Sequence, residues 1–211
     1  MSIRSTCYEP PRGTKLFPPV PGHIMSIRRI LTFPEPSLRG TARPVENITG
    51  ETAKWVEDMA QTMYAAPGIG LAAPQVGLDQ RIIVLDVAPD DDEQDQERGK
   101  HLIHVVNPVI VEADGETTFE EGCLSVVDFR AEVDRAARVL VRGWDLDQRE
   151  IEIEADGLLA VALQHEIDHL EGTLFIDRLS KLKRELYVKR VKKALRDGRP
   201  IAQKRSASES N

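Results

Sequence analysis

His165-Glu166-Ile167-Asp168-His169 sets two imidazoles four residues apart, with a carboxylate beside the first. On a helix that spacing is about one turn, so both rings share a face and can reach one metal ion while the glutamate reaches a water bound there. The bland alternative makes the histidines satisfied core residues and Glu166 a surface charge. Against it, Leu158, Leu159, Val161, Ala162, Leu163, Ile167 and Leu170 make the helix apolar almost all round, which would strand three ionisable groups without partners. Five histidines in 211 residues should give the pattern by chance in only about one such chain in a hundred.

A catalytic divalent site wants three protein ligands and one position left for water. Cys123, in Glu120-Glu121-Gly122-Cys123-Leu124-Ser125, is the candidate third ligand. Taken alone, such a cysteine is more often a small buried hydrophobe, and a nucleophile paired with a histidine base is a further reading. A third feature is Gly68-Ile69-Gly70-Leu71-Ala72-Ala73-Pro74-Gln75, where small residues permit close backbone approach and Gln75 offers an amide donor. By itself this reads as a helix-to-strand turn.

The elements that must hold these groups are legible in outline. Thr49 is placed to cap a helix in which Val56, Met59, Ala60 and Met63 recur at three- and four-residue steps until Pro67-Gly68 stops it. Arg81 to Val87 reads as a buried strand, and Leu102 to Val111 as a second, with Asn107-Pro108 marking a bend or an edge. Arg138 to Trp144 and Glu150 to Glu154 flank Asp145-Leu146-Asp147-Gln148 as a hairpin with one wet face. The helix carrying the histidines ends at Gly172, and Asp177 or Ser180 caps a last helix. The expectation is a single α+β domain over residues 25–196, its antiparallel sheets packed around a central buried metal-binding helix, with one helix N-terminal and one C-terminal to them.

Composition restricts the function classes. No apolar run approaches the roughly 20 residues of a membrane span, and hydrophobic residues make up 41% and charged residues 30% of the chain. The net charge of -7 gives no support for DNA binding, and two cysteines, Cys7 and Cys123, suit a reducing cytoplasm better than a disulfide scaffold. Residues 1–24, rich in proline, read as a disordered leader or a misplaced start, because Met25-Ser26-Ile27-Arg28 repeats Met1-Ser2-Ile3-Arg4. The acidic run at 89–99 reads as a solvated loop, and 197–211 as a polar tail.

G-I-G-L-A-A-P-Q, E-G-C-L-S and Q-H-E-I-D-H-L, in that order, resemble the peptide deformylase family over about residues 28–185. The resemblance implies removal of the formyl group from N-formyl-methionyl nascent peptides. It implies Cys123, His165 and His169 as ligands of one divalent ion, with iron(II) expected and zinc, nickel or cobalt acceptable. Glu166 would take a proton from the attacking water and return it to the leaving amine. Gln75 and the Leu124 backbone N–H would bond the formyl oxygen. The peptide would lie along Gly68, Ile69 and Gly70, Leu158, Val161 and Ala162 would join Ile69 and Leu124 around the methionine, and Glu121 would be a further substrate-binding residue.

Where many members follow E-G-C-L-S with an apolar residue and Pro-Gly, this chain has Val126-Val127-Asp128-Phe129-Arg130-Ala131, which is more similar to the group containing organellar enzymes. H-E-x-x-H alone also fits a metallopeptidase, and a metal-binding protein without turnover would need no Glu166. The last helix holds eight lysines and arginines between Lys181 and Arg196. A solvated face is the ordinary reading of such a run, and contact with ribosomal RNA is the functional one.

Overall fold

Ile83 and Leu85 pack into one apolar cluster while Ile82 and Val84 pack into another on the opposite face. A strand buried on both faces reads as a continuous apolar run rather than an alternation, which is why Arg81–Val87 has that character. The computed structural model describes residues 26–88 and 99–199. The leader, the acidic run except Gly99, and the tail beyond residue 199 lie outside the described residues.

The elements, in chain order, are α1 (Gly50–Ala65), β1 (Gly70–Ala72), β2 (Ile82–Asp86), β3 (Leu102–Asp114), β4 (Thr117–Cys123), β5 (Val126–Arg135), β6 (Arg138–Trp144), β7 (Glu150–Asp156), α2 (Gly157–Leu170) and α3 (Lys181–Arg196). Five strands form an antiparallel sheet in the order β1-β2-β3-β6-β7, and β4 pairs with β5 in a separate hairpin. The architecture is α+β, as the element pattern implied.

α1 starts where Thr49 caps it: the Thr49 side chain accepts from Glu51 N–H, and the Thr49 N–H donates to Thr52 Oγ1. Its apolar stripe of Val56, Met59 and Met63 covers one sheet face. α2 lies on the other, with Ala160, Leu163, Ile167 and Leu170 against Val105, Val141 and Ile153. Burying each large aliphatic side chain contributes about 1.5–3 kcal/mol, and Leu163 and Leu170 are fully buried. α2 ends at Gly172, whose φ of +70° suits glycine and whose Cβ position lies 2.5 Å from Arg39 O. Ser180, rather than Asp177, caps α3 by accepting from Lys183 N–H.

Three features differ from the sequence reading. The Gly-rich segment is more than a turn: Gly70–Ala72 pairs with β2 as an edge strand. Asn107-Pro108, read as a bend or an edge, is a bend inside central β3 rather than an edge position. There a register shift between Val106 and Val109 absorbs the proline, and the Asn107 amide is tied to Val45 by bonds of 2.8 and 2.9 Å. The hairpin β4–β5 carries Cys123 at the end of its first strand. Strand β7 closes the large sheet as a free edge, with Glu150, Glu152 and Glu154 exposed.

Candidate metal and active site

α2 presents His165, Glu166 and His169, all buried, toward the end of β4. There the Cys123 sulfur lies 3.1 Å from His169 Nε2. Ligand atoms of Cys123, His165 and His169 all fall within 4.8 Å of one another, and among the described residues this is the one cluster of such side chains close enough to share an ion. One sulfur and two imidazole nitrogens form a donor set suited to a divalent transition metal.

The surroundings orient the ligands. His165 Nδ1 lies 2.7 Å from Glu121 Oε2, so the ring donates there and leaves Nε2 free to ligate. Arg135, whose side chain is fully buried, donates to both Glu121 oxygens at 2.6 and 2.9 Å and to Asp168 at 2.6 Å. Asp168, from the same motif, also pairs with Arg178. Burial alone would raise the Glu121 carboxyl, but the hydrogen bonds from Arg135 and His165 outweigh it and hold the group down at about 2. Burial opposes a charge on His165, yet the Cys123 sulfur and the carboxylates of Glu121 and Glu166 prevail and strengthen its hold on a proton. The same negative surroundings favour a cation. His169 is driven the other way by burial and by His165, toward the neutral form that ligates.

Gln75 is 1% exposed, and its amide is locked. Oε1 accepts from Ala72 N–H at 2.7 Å, so Nε2 must point the other way, to Ser125 Oγ at 3.1 Å and the Cys123 sulfur at 3.6 Å. Glu166 lies against β1 so closely that a Cβ on Gly70 would come within 2.4 Å of its Oε1, which is the reason for glycine at that position. Its Oε2 is buried without a partner among the described residues. Burial pushes this carboxyl up to about 7, with His165 acting in the opposite direction.

These groups line a cleft of about 610 Å³. Gly68, Ile69, Gly70, Gln75, Glu121, Cys123, Leu124, Leu158, Val161, Ala162, His165 and Glu166 all contribute to its wall, while His169 lies behind it. Ile69 is 47% exposed at the mouth. Glu121, expected among the substrate-binding residues, has both oxygens engaged by Arg135 and His165. Arg135, Asp168 and Ser125 did not emerge as site residues from the sequence. A signal for Arg135 was present, since inward-facing Val133 two residues earlier places it on the same buried side of β5.

Changing Glu121→Gln keeps the shape but removes the charge facing His165 and Arg135. Metal affinity should fall about 10- to 100-fold, measured by chelator competition. An unchanged affinity would remove the orienting role.

Fold and site together define a metal-binding hydrolase built on an H-E-x-x-H helix. The family described as polypeptide deformylase matches residues 27–185. The peptide deformylase of Syntrophobacter fumaroxidans is 53% identical over 173 residues, covering 82% of this chain and 98% of the relative. That of Phenylobacterium zucineum is 49% identical over 170 residues, covering 80% and 97%. Among solved structures, the Legionella pneumophila peptide deformylase superposes with a TM-score of 0.73 at 44% identity, covering 82% of this chain and 98% of that one. The Ehrlichia chaffeensis enzyme, solved in complex with actinonin, gives 0.73 at 40% identity, covering 82% and 99%. The chain belongs to the polypeptide deformylase family, enzymes that remove the N-formyl group from nascent peptides. No helix among the described residues is long and apolar enough to cross a membrane.

Proposed function

We propose that the chain deformylates the N-terminal formyl-methionine of nascent polypeptides, with Cys123, His165 and His169 holding one divalent ion. The observation that carries this reading is the convergence of those three ligand atoms beside a cleft walled by Gln75 and Glu166. When bound, the ion supplies Lewis acidity and an acidified water. Glu166 accepts the proton of the attacking water and later delivers it to the departing amine. Gln75 Nε2, aimed by the Ala72 N–H, and the Leu124 backbone N–H donate to the formyl oxygen as charge develops on it. Leu124, Leu158, Val161 and Ala162 enclose the methionine side chain, with Ile69 at the mouth. The peptide backbone runs beside Gly68, Ile69 and Gly70, next to the free edge of β1.

Iron(II) is the metal that membership of the family leads us to expect; zinc, nickel and cobalt accept the same donors, and the ligand set alone does not choose among them. Turnover of a formyl-Met peptide, with none of its acetylated or unblocked counterparts, is the expected result. Cleavage of an internal peptide bond instead would make the protein a metallopeptidase.

The substrate emerges at the ribosome in the cytoplasm, and α3 exposes Lys189, Lys192 and Lys193. We propose that this face contacts ribosomal RNA, an attraction that salt weakens steeply. Changing all three to glutamine should reduce co-sedimentation with ribosomes at low salt, and unchanged co-sedimentation would refute the contact.

A further inference from the structure

α3 reaches the cleft as well as the surface. Tyr187 and Val191 are its buried residues, and the Tyr187 hydroxyl donates to Val127 O at 3.3 Å. One turn on, Arg190 Nη2 donates to Asp128 O at 2.8 Å. The Arg190 guanidinium lies 5.6 Å from the Phe129 ring centre and 5.1 Å from that of Tyr187, and the two rings stack at 4.6 Å. Between these anchors Asp128 has a φ of +50°, a left-handed conformation that a residue with a side chain keeps only where its surroundings hold it. Val126, Asp128 and Phe129 all line the cleft. One helix thus grips two successive carbonyls and one ring of the segment that forms a cleft wall, only a few residues after Cys123.

We infer that Tyr187 and Arg190 are positioning residues for peptide binding, holding the Val127-Asp128-Phe129 wall in the shape the substrate meets. Neither lines the cleft or hydrogen-bonds a metal ligand, although Cys123 packs against the same apolar cluster as Tyr187, so metal content is read beside the kinetics. Their loss therefore weakens binding and leaves the chemical step intact, a pattern that appears in KM and spares kcat. Arg190 supplies a charge-assisted hydrogen bond and a cation over two rings, both of which a lysine partly replaces and an alanine does not. Exposed Glu185, on the same helix and in no proposed contact, provides a control.

The test is steady-state kinetics of the metal-loaded full chain on a formyl-Met peptide, for wild type, Arg190→Ala, Arg190→Lys, Tyr187→Phe and Glu185→Ala. Arg190→Ala should raise KM about three- to tenfold, with kcat and metal content as in wild type. Tyr187→Phe should raise KM less, Arg190→Lys should recover part of the loss, and Glu185→Ala should change nothing. The inference is overturned if KM of Arg190→Ala stays within about twofold of wild type, or if kcat and metal content fall with it, since that pattern reports general loosening. It rests on the deformylase reading, which the wild type tests separately. No wild-type turnover sinks that reading, whereas normal turnover with an indifferent Arg190→Ala sinks only this inference.

Discussion

Replacing Glu166 by glutamine lowers deformylation of a formyl-Met peptide by about a thousandfold or more, while the protein keeps its metal and its fold. Glutamine matches glutamate in size, so the close packing against Gly70 is preserved, but it cannot take up a proton and hand it on. Among the described residues, the two other carboxylates packed around the ligand helix are already committed. Glu121 is held ionised between Arg135 and His165, and Asp168 is committed to Arg135 and Arg178. Single-turnover kinetics beside metal analysis decide the matter. A Glu166→Gln protein with full activity would leave the proposed proton transfer without a donor, and one that had lost its metal would make Glu166 a structural residue.

Cys123→Ala should bring the larger loss in binding. Removing one of three ligands should weaken metal affinity by more than the 10- to 100-fold typical of an outer-shell change, and activity should vanish with the ion. Because an ion that binds only the folded chain stabilises it by about 2.7 kcal/mol at a hundred times its dissociation constant, chelation should lower the melting temperature of wild type. It should leave the melting temperature of Cys123→Ala unmoved. Cys123→Ser is the sharper comparison, since it keeps the shape and replaces a soft sulfur with a hard oxygen. Stoichiometric metal in both variants would exclude Cys123 from the ligand set.

The parts of the site legible in the sequence are those with short-range chemical logic. Two histidines at i and i+4 on an apolar helix constrain each other, whatever the rest of the chain does. The β6–β7 hairpin announced itself through the strict alternation of Glu150-Ile151-Glu152-Ile153-Glu154. β4 alternates in burial but not in residue type, because its inward face carries Thr117, Phe119, Glu121 and Cys123, so no polar–apolar rhythm marks it in the sequence. β1 was read as a turn because glycine and alanine have low strand propensity; its pairing is imposed from outside by β2, and its residue types by the approach of Glu166. Arg135 stayed hidden for a similar reason. A charged residue in a strand looks like a solvated one until Glu121 and Asp168, 14 residues before it and 33 after, are brought to it by the fold.

The edge of the large sheet has a consequence for how copies of the chain meet. An unpaired strand such as β7 invites another to extend the sheet, which is a common route to aggregation. Here two copies joining along that edge would bring rows of glutamates from neighbouring strands onto one face, each close like-charged pair opposing the union by a few tenths of a kcal/mol to about 1 kcal/mol. Arg142 pairs with Glu150 and Glu152 within each copy and offsets part of that repulsion, but the excess of acid along the strand still sets one copy against another, at the end of the sheet farthest from the edge beside which the peptide is proposed to lie.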